Sequence, residues 1–434
     1  MNLKKIVKNK VIKNAGWLIG GKIINKILAF IVGILTARYL GPGNYGLINY
    51  AAAYTTFFAA VCSLGINSII VKNFLEFPDE QEETLGTALV LKGIASLLSA
   101  VMITGIVYVV DRNEPVTLAV VILSSLSLIF QIYDTFQYWF QSRLQSKYPA
   151  IATNIAYIVV SVFKVILLIL GKDVRWFALS NSLDYIVAGV FLFVIYKKSN
   201  GKRLSFSIRK GKQLLSKSCS FIISGLMVSI YASTDKLMLK RFLSESEVAY
   251  YSLASTLSVT WAFVLTAVID SMYPVIVEKY QTDYASYERK NRQLYGIVFY
   301  AAMLMSVLIA GFSGPIIQIL YGEKYLGAIV PLRIVVWYTA FSYLGVARNA
   351  WMVCEDKQKY LNILYPVAAV SNVLLNYLLI PKWGASGAAA ASLVTQIITT
   401  TVLPAMIRPL RPNVRLMLEA VACRDLRKNK KTRS

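Results

Sequence analysis

The sequence predicts an all-α polytopic membrane protein of about twelve transmembrane helices in two six-helix lobes. Three observations predict it. Apolar runs of about twenty residues recur from end to end, each long enough for a hydrocarbon core of roughly 30 Å. Basic residues divide unequally between alternate loops, as the positive-inside rule requires. A short stretch near the start recurs, without gaps, 203 residues later.

Composition agrees with this. Of 434 residues 56% are hydrophobic and only 16% charged, with a mean hydropathy of +0.56. Soluble domains average about 25% charged.

The spans are expected at 15–40, 46–72, 84–110, 116–141, 148–170, 176–196, 216–241, 248–275, 293–320, 328–352, 360–380 and 385–407. The first follows a start in which residues 1–13 hold five Lys and no acid. It carries Lys22 and Lys26 and lacks a small-residue cleavage site, so it is expected to stay in the mature chain. Trp17, Tyr39, Tyr108, Trp139, Tyr148, Trp176, Tyr196 and Tyr273 mark span ends as interfacial anchors. With both termini on the cytoplasmic side, thirty basic residues fall in inward segments. Only Arg112, Lys172, Arg175, Lys324 and Lys382 fall in the short outward loops.

The sixth and seventh spans are separated by a polar, basic linker, with eight basic residues and no acid between Lys197 and Lys217. This gives an N-terminal lobe at 1–200, a linker at 201–215, a C-terminal lobe at 216–410 and a basic tail at 411–434. The repeat supports the same division. ARYLGPGNYGLINYA from Ala37 aligns on KRFLSESEVAYYSLA from Lys240, pairing Arg38 with Arg241 and Leu40 with Leu243. In each case the segment is an outward turn between a half's first two spans. Six spans per half give both halves one orientation, related by an axis along the membrane normal.

The net charge of +24 does not point to nucleic acid, because the basic clusters border apolar spans and face anionic lipid heads. Cys62, Cys219, Cys354 and Cys423 lack metal-ligand spacing, and no histidine exists. No cofactor or metal is expected. GWLIGGK at 16–22 begins like a phosphate-binding loop, but Ile23 stands where Ser or Thr is required and no strand precedes it. No nucleophile–base constellation stands outside the membrane, so a transporter is expected and not an enzyme.

Eleven basic residues lie within the spans: Lys22, Lys26, Arg38, Lys72, Lys92, Lys164, Lys236, Lys240, Arg241, Arg333 and Arg348. A charge at a helix centre costs roughly 2.5 kcal/mol or more, so a basic interior needs a reason. Lys22 and Lys26 share one helix face, where a phosphate pair would satisfy both; the other reading is snorkelling to headgroups. Lys92, Lys164 and Arg333 lie deep enough to line a cavity. Arg348 lies nearer its span end, and Arg38, Lys72, Lys240 and Arg241 suit snorkelling. Acids are fewer: Asp134, Asp184, Asp235, Asp270 and Glu278, leaving a surplus of six positive charges. That sign suits diphosphate or acidic sugars and not organic cations. Asp134, Asp184, Asp235 and Asp270 are either ion-pair partners or carboxyls for ion exchange. Asn25, Asn67, Gln131, Gln137, Asn154, Asn181, Asn372, Asn376 and Gln396 serve either sugar hydroxyls or interhelical bonding.

NAGWLIGGKIINKILAFIVGILTARYLGPGNYGLINYA near the start resembles the N-terminal region of bacterial Wzx-type polysaccharide flippases. STDKLMLKRFLSESEVAYYSLA is similar to the start of that family's second half, and NVLLNYLLIPKWGASGAAAASL to its last two spans. The resemblance implies a MATE-like V of two lobes around a cationic cavity. It implies export of an undecaprenyl-diphosphate-linked oligosaccharide by alternating access, with membrane lipids and the polysaccharide polymerase and chain-length machinery as partners. Carry-over by motif position is firmest for Lys22, Lys26, Arg38, Asp235 and Lys236. A drug or metabolite antiporter of the same fold is the nearest alternative, and a membrane polysaccharide polymerase a further one.

Overall fold

The computed structural model describes residues 3–199, 201 and 203–422, with side chains from residue 25 onward except those of 220 and 224. The side chains of Trp17 and Lys22, and the basic tail from Cys423, lie outside the described residues. The described chain is helical throughout, with no strand. Eight helices are long and apolar enough to cross a membrane, and two further bent pairs bring ten. Two of the eight hold an internal break, so that each supplies two of the expected spans and the total reaches the twelve read from sequence.

Those breaks are glycine-made. Helix α1 (Leu3–Ser63) turns at Gly41, whose φ of 71° is costly for any residue with a Cβ. Pro42 follows, and its missing N–H costs least in the first turn of a restarting helix. This is the turn of the first repeat; its counterpart lies between α8 (Ile208–Phe242) and α9 (Glu245–Thr260). Helix α15 (Leu361–Ile397) breaks at Gly384, with φ 54°.

The chain forms two compact units, 1–233 and 234–434. The first holds α1, α2 (Ile70–Glu76), α3 (Gln81–Val110), α4 (Pro115–Phe130), α5 (Thr135–Ser142), α6 (Lys147–Ile169), α7 (Val174–Lys198) and most of α8. Its aromatic core packs Trp139 against Tyr196 at 4.9 Å, with the Arg143 guanidinium 3.9 Å over the indole. The expected linker is not a free loop. A Cβ on Gly86 would lie 2.3 Å from the Ser205 carbonyl oxygen, and the Ser207 N–H donates to Thr87 Oγ1 at 3.0 Å. Lys210 pairs with Glu80, and helix α8 already begins at Ile208. Polar composition leaves such a segment exposed, but a glycine on α3 lets its backbone dock.

The second unit holds the end of α8, α9, α10 (Phe263–Thr282), α11 (Tyr284–Gly311), α12 (Ser313–Tyr321), α13 (Ile329–Val335), α14 (Tyr338–Cys354), α15, α16 (Leu403–Met406) and α17 (Arg411–Val421). Two spans bend between helices, by 42° from α9 to α10 and by 46° from the Glu323–Val335 segment to α14. Helix α17 seats its apolar face on α11, and Asn413 Nδ2 donates to Tyr295 Oη at 2.6 Å.

Candidate functional site

Helix α3 buries a stripe at spacings of three and four: Leu85, Ala88, Lys92, Ser96, Ser99 and Ile103. Lys92 is 4% exposed, so its ammonium must find partners inside the bundle. It donates to Asn67 Oδ1 and to Thr135 Oγ1, the latter at 3.0 Å. The fourth span is interrupted there by a 3-10 turn, Gln131–Asp134. The interruption delivers Gln131 and Asp134 to the pocket that Lys92 lines, which holds about 30 Å³, and Thr135 to the Lys92 ammonium. That is room for about one water. Lys92 and Asp134 line this pocket without forming an ion pair.

A larger cavity of about 260 Å³ opens between α1, α6 and α7. Helix α1 contributes Ala29, Gly33 and Thr36, spaced by four and three, whose small side chains leave the space. Lys26, exposed, stands three residues before Ala29 on the same face. Helix α6 brings Tyr157 and Lys164, and α7 brings Asn181 and Asp184. Lys164 Nζ reaches Asn181 Oδ1 at 3.4 Å, a long contact. Asp184 Oδ1 and Thr36 Oγ1 are buried with no hydrogen-bond partner among the described residues. Lys164 and Asp184 face the same cavity and do not close into an ion pair.

In the second unit Asp235 is 3% exposed and accepts only from neutral groups. Tyr251 Oη and Ser392 Oγ donate to its Oδ2, the serine at 2.8 Å, and Asn376 donates to Oδ1. Asn376 also donates to Asn372 Oδ1 at 3.0 Å. Helices α8, α9 and both halves of α15 thus meet on one carboxylate. Lys236, about 100° further round α8, is half-buried and makes no ion pair with it.

Arg348 is 6% exposed on α14, and its Nη1 donates to the Thr399 carbonyl at 3.3 Å. That carbonyl belongs to a π-helical turn, Ile398–Val402, where the wider hydrogen-bond ring leaves backbone acceptors available. Among the described residues its Nε has no partner. Arg333 is exposed and donates from Nε to Ser313 Oγ at 2.8 Å; Arg38 is exposed too.

Of the two roles open to the four acids, ion-pair partner or carboxyl for ion exchange, the first is not seen among the described residues. Asp270 is exposed on α10 and makes no ion pair there. Asp134 and Asp184 line cavities, and Asp235 accepts from neutral donors. Sequence reading identified Asn67, Asn181, Asn372 and Asn376. It missed Thr36, Thr135, Tyr157, Tyr251 and Ser392, since a hydroxyl in a span carries no charge penalty to flag it.

The family profile described as "Polysaccharide biosynthesis protein" matches residues 11–280. The chain is 20% identical over 404 residues to the capsular polysaccharide biosynthesis protein CapF of Staphylococcus aureus, covering 89% of this chain and 97% of CapF. It is 22% identical over 419 residues to the probable flippase AglR of Haloferax volcanii, covering 91% and 83%. Its fold is similar to that of the lipid II flippase MurJ in an inward closed conformation, with a TM-score of 0.72, 15% identity and coverage of 93% and 91%.

Proposed function

Because the chain belongs to the polysaccharide biosynthesis protein family, we propose that it flips a lipid-linked oligosaccharide across a membrane. The cargo is an undecaprenyl-diphosphate-linked repeat unit, moved from the cytoplasmic to the outer leaflet of a bacterial inner membrane by alternating access. The observation that carries this reading is that Lys92 and Lys164 face polar pockets within apolar helices. Each charge there costs roughly 2.5–3.5 kcal/mol. The names of relatives agree: one serves capsular polysaccharide biosynthesis and another is a probable flippase.

In this reading Lys22 and Lys26 take the diphosphate, and Arg38, Lys92, Lys164, Lys236, Arg333 and Arg348 supply further positive potential along the route. The polyprenyl tail stays in lipid. With both termini cytoplasmic, a potential negative inside pushes the anionic head outward by about 2.3 kcal/mol per charge per 100 mV. Asp235, buried among neutral donors, is the carboxylate placed for exchange of a proton or cation. Polymerase and chain-length proteins receive the product.

Reconstituted vesicles holding the fluorescent lipid-linked repeat unit test this. The expected result is loss of fluorescence protection from an external quencher faster than in empty vesicles. Equal rates, together with efflux of a cationic dye, would instead identify a drug antiporter.

A further inference from the structure

The cavity between α1, α6 and α7 has a composition that the diphosphate explains only in part. It holds one ammonium, Lys164, and one carboxylate, Asp184, so its formal charge is zero. Lys164 adds positive potential along the route, but Asp184 offsets it within the cavity, so the cavity itself suits a neutral group better than an anionic one. Two charges of opposite sign in one apolar bundle ordinarily close on each other, because the low dielectric strengthens their attraction. Here they stay apart. Among the described residues Asp184 Oδ1 lacks a donor, Thr36 Oγ1 lacks any partner, and Lys164 has only the 3.4 Å contact to Asn181. Whatever fills the space must offer a hydrogen-bond donor to the aspartate and an acceptor to the lysine.

We infer that this cavity is a subsite for one neutral pyranose ring of the cargo, bearing a donor and an acceptor on adjacent carbons. A vicinal diol or a 2-acetamido alcohol has this pattern. The ring's hydroxyl or amide N–H donates to Asp184 Oδ1, Lys164 donates to the neighbouring oxygen, and Thr36 takes a second hydroxyl. Tyr45, Tyr157 and Phe177 supply flat apolar surface for the C–H face of the ring. The volume of about 260 Å³ falls just below the roughly 300–1,000 Å³ of drug-sized pockets, which suits one ring. Ala29 and Gly33 keep the α1 wall open; larger side chains at those two positions would fill it.

The inference rests on the flippase reading for its cargo, but its test does not. The purified full chain in detergent is titrated with methyl N-acetylglucosaminide, methyl glucoside, glucuronate and sodium chloride, following thermal unfolding. A neutral glycoside is expected to raise the unfolding temperature saturably, and glucuronate to bind more weakly. Asp184→Asn and the near-isosteric Thr36→Val are each expected to weaken that binding about tenfold or more, with Lys290→Gln unchanged. Loss of sugar binding in Thr36→Val keeps the inference testable if the aspartate variant does not fold. No response to either neutral glycoside, unaltered affinity in both variants, or saturation by sodium chloride alone that Asp184→Asn abolishes would each overturn the subsite. Vesicle translocation by the wild type is measured separately, so a failed subsite leaves the flippase reading standing.

Discussion

The carboxylate of Glu247 accepts the backbone N–H of Ala385 at 2.6 Å, across 138 positions of sequence. Ser244 and Glu247 have the S-x-x-E spacing in which the acid normally folds back on its own helix. Here Glu247 leaves α9 and caps the restart of α15 after Gly384. A Cβ at Gly384 would lie 2.5 Å from Glu247 Oε2 and would sit at φ 54°. Gly384→Ala is therefore expected to lose about 1–3 kcal/mol from backbone strain alone, read as a lower unfolding temperature in detergent. An unchanged temperature would show that the break relaxes freely.

Asp235 holds three donors together. Asp235→Ala takes one acceptor from Tyr251, Asn376 and Ser392; Tyr251 and Ser392 keep their mutual hydrogen bond at 2.8 Å and Asn376 its bond to Asn372, so a total loss of about 1–3 kcal/mol is expected. The variant is expected to unfold at a clearly lower temperature than Asp235→Asn, which keeps an acceptor oxygen. If both variants melt alike, the network contributes little to folding.

Lys92→Met removes a buried charge and keeps the volume, but leaves Asn67 Oδ1 without the donor it has now. An unsatisfied buried acceptor costs about 1–3 kcal/mol, so a modest fall in unfolding temperature is expected and transport is compared at equal amounts of folded protein. Transport in vesicles is expected to fall sharply. Full transport would reduce Lys92 to a packing residue.

Gly86 admits the backbone of Ser205. Gly86→Leu is expected to push the 203–207 segment off α3 and break the Ser207–Thr87 hydrogen bond. Trypsin should then cut after Arg203 or Arg209 faster than in the wild type. Unchanged cleavage would mean the segment already detaches readily.

Asp283 caps α11, accepting the Ser286 N–H at 3.1 Å and its hydroxyl at 2.5 Å. The Ser286 hydroxyl, and after it the Ser286 N–H, hold its carboxyl below the ordinary 3.8. A lowered folded value means the cap's stabilisation is complete above about 3.8 and fades as pH falls through the folded value. The gap in unfolding temperature between wild type and Asp283→Ala should be present at pH 7 and begin to narrow only once the pH falls below about 3.8. A gap that narrows already above that pH would show that another group, not this carboxylate, controls it.

Much of the fold was legible because it is written locally. Hydropathy placed twelve spans, and the repeat marked the turn between the first two. The bends at Trp261–Ala262 and Val336–Trp337 carried no Pro or Gly and were not foreseen. The docking of the linker was missed for a related reason: Gly86 inside an apolar helix looks like ordinary packing until the strand of chain it receives is known. At the site, depth along a helix identified Lys92 and Lys164, because buried charge is rare enough to be informative. Depth did not separate them from Arg333, which is exposed.

By itself the sequence determined the all-helical, membrane-spanning class, the order of the spans and the surplus of positive charge within them. Each follows from composition within about twenty residues. Only the tertiary structure decided which charges meet what: Lys92 with Thr135, Asp235 with Ser392, Lys164 and Asp184 around one space. Those outcomes depend on how each helix is rotated about its axis and where it breaks. Rotation is set by packing against neighbours distant in the chain, which no single span encodes.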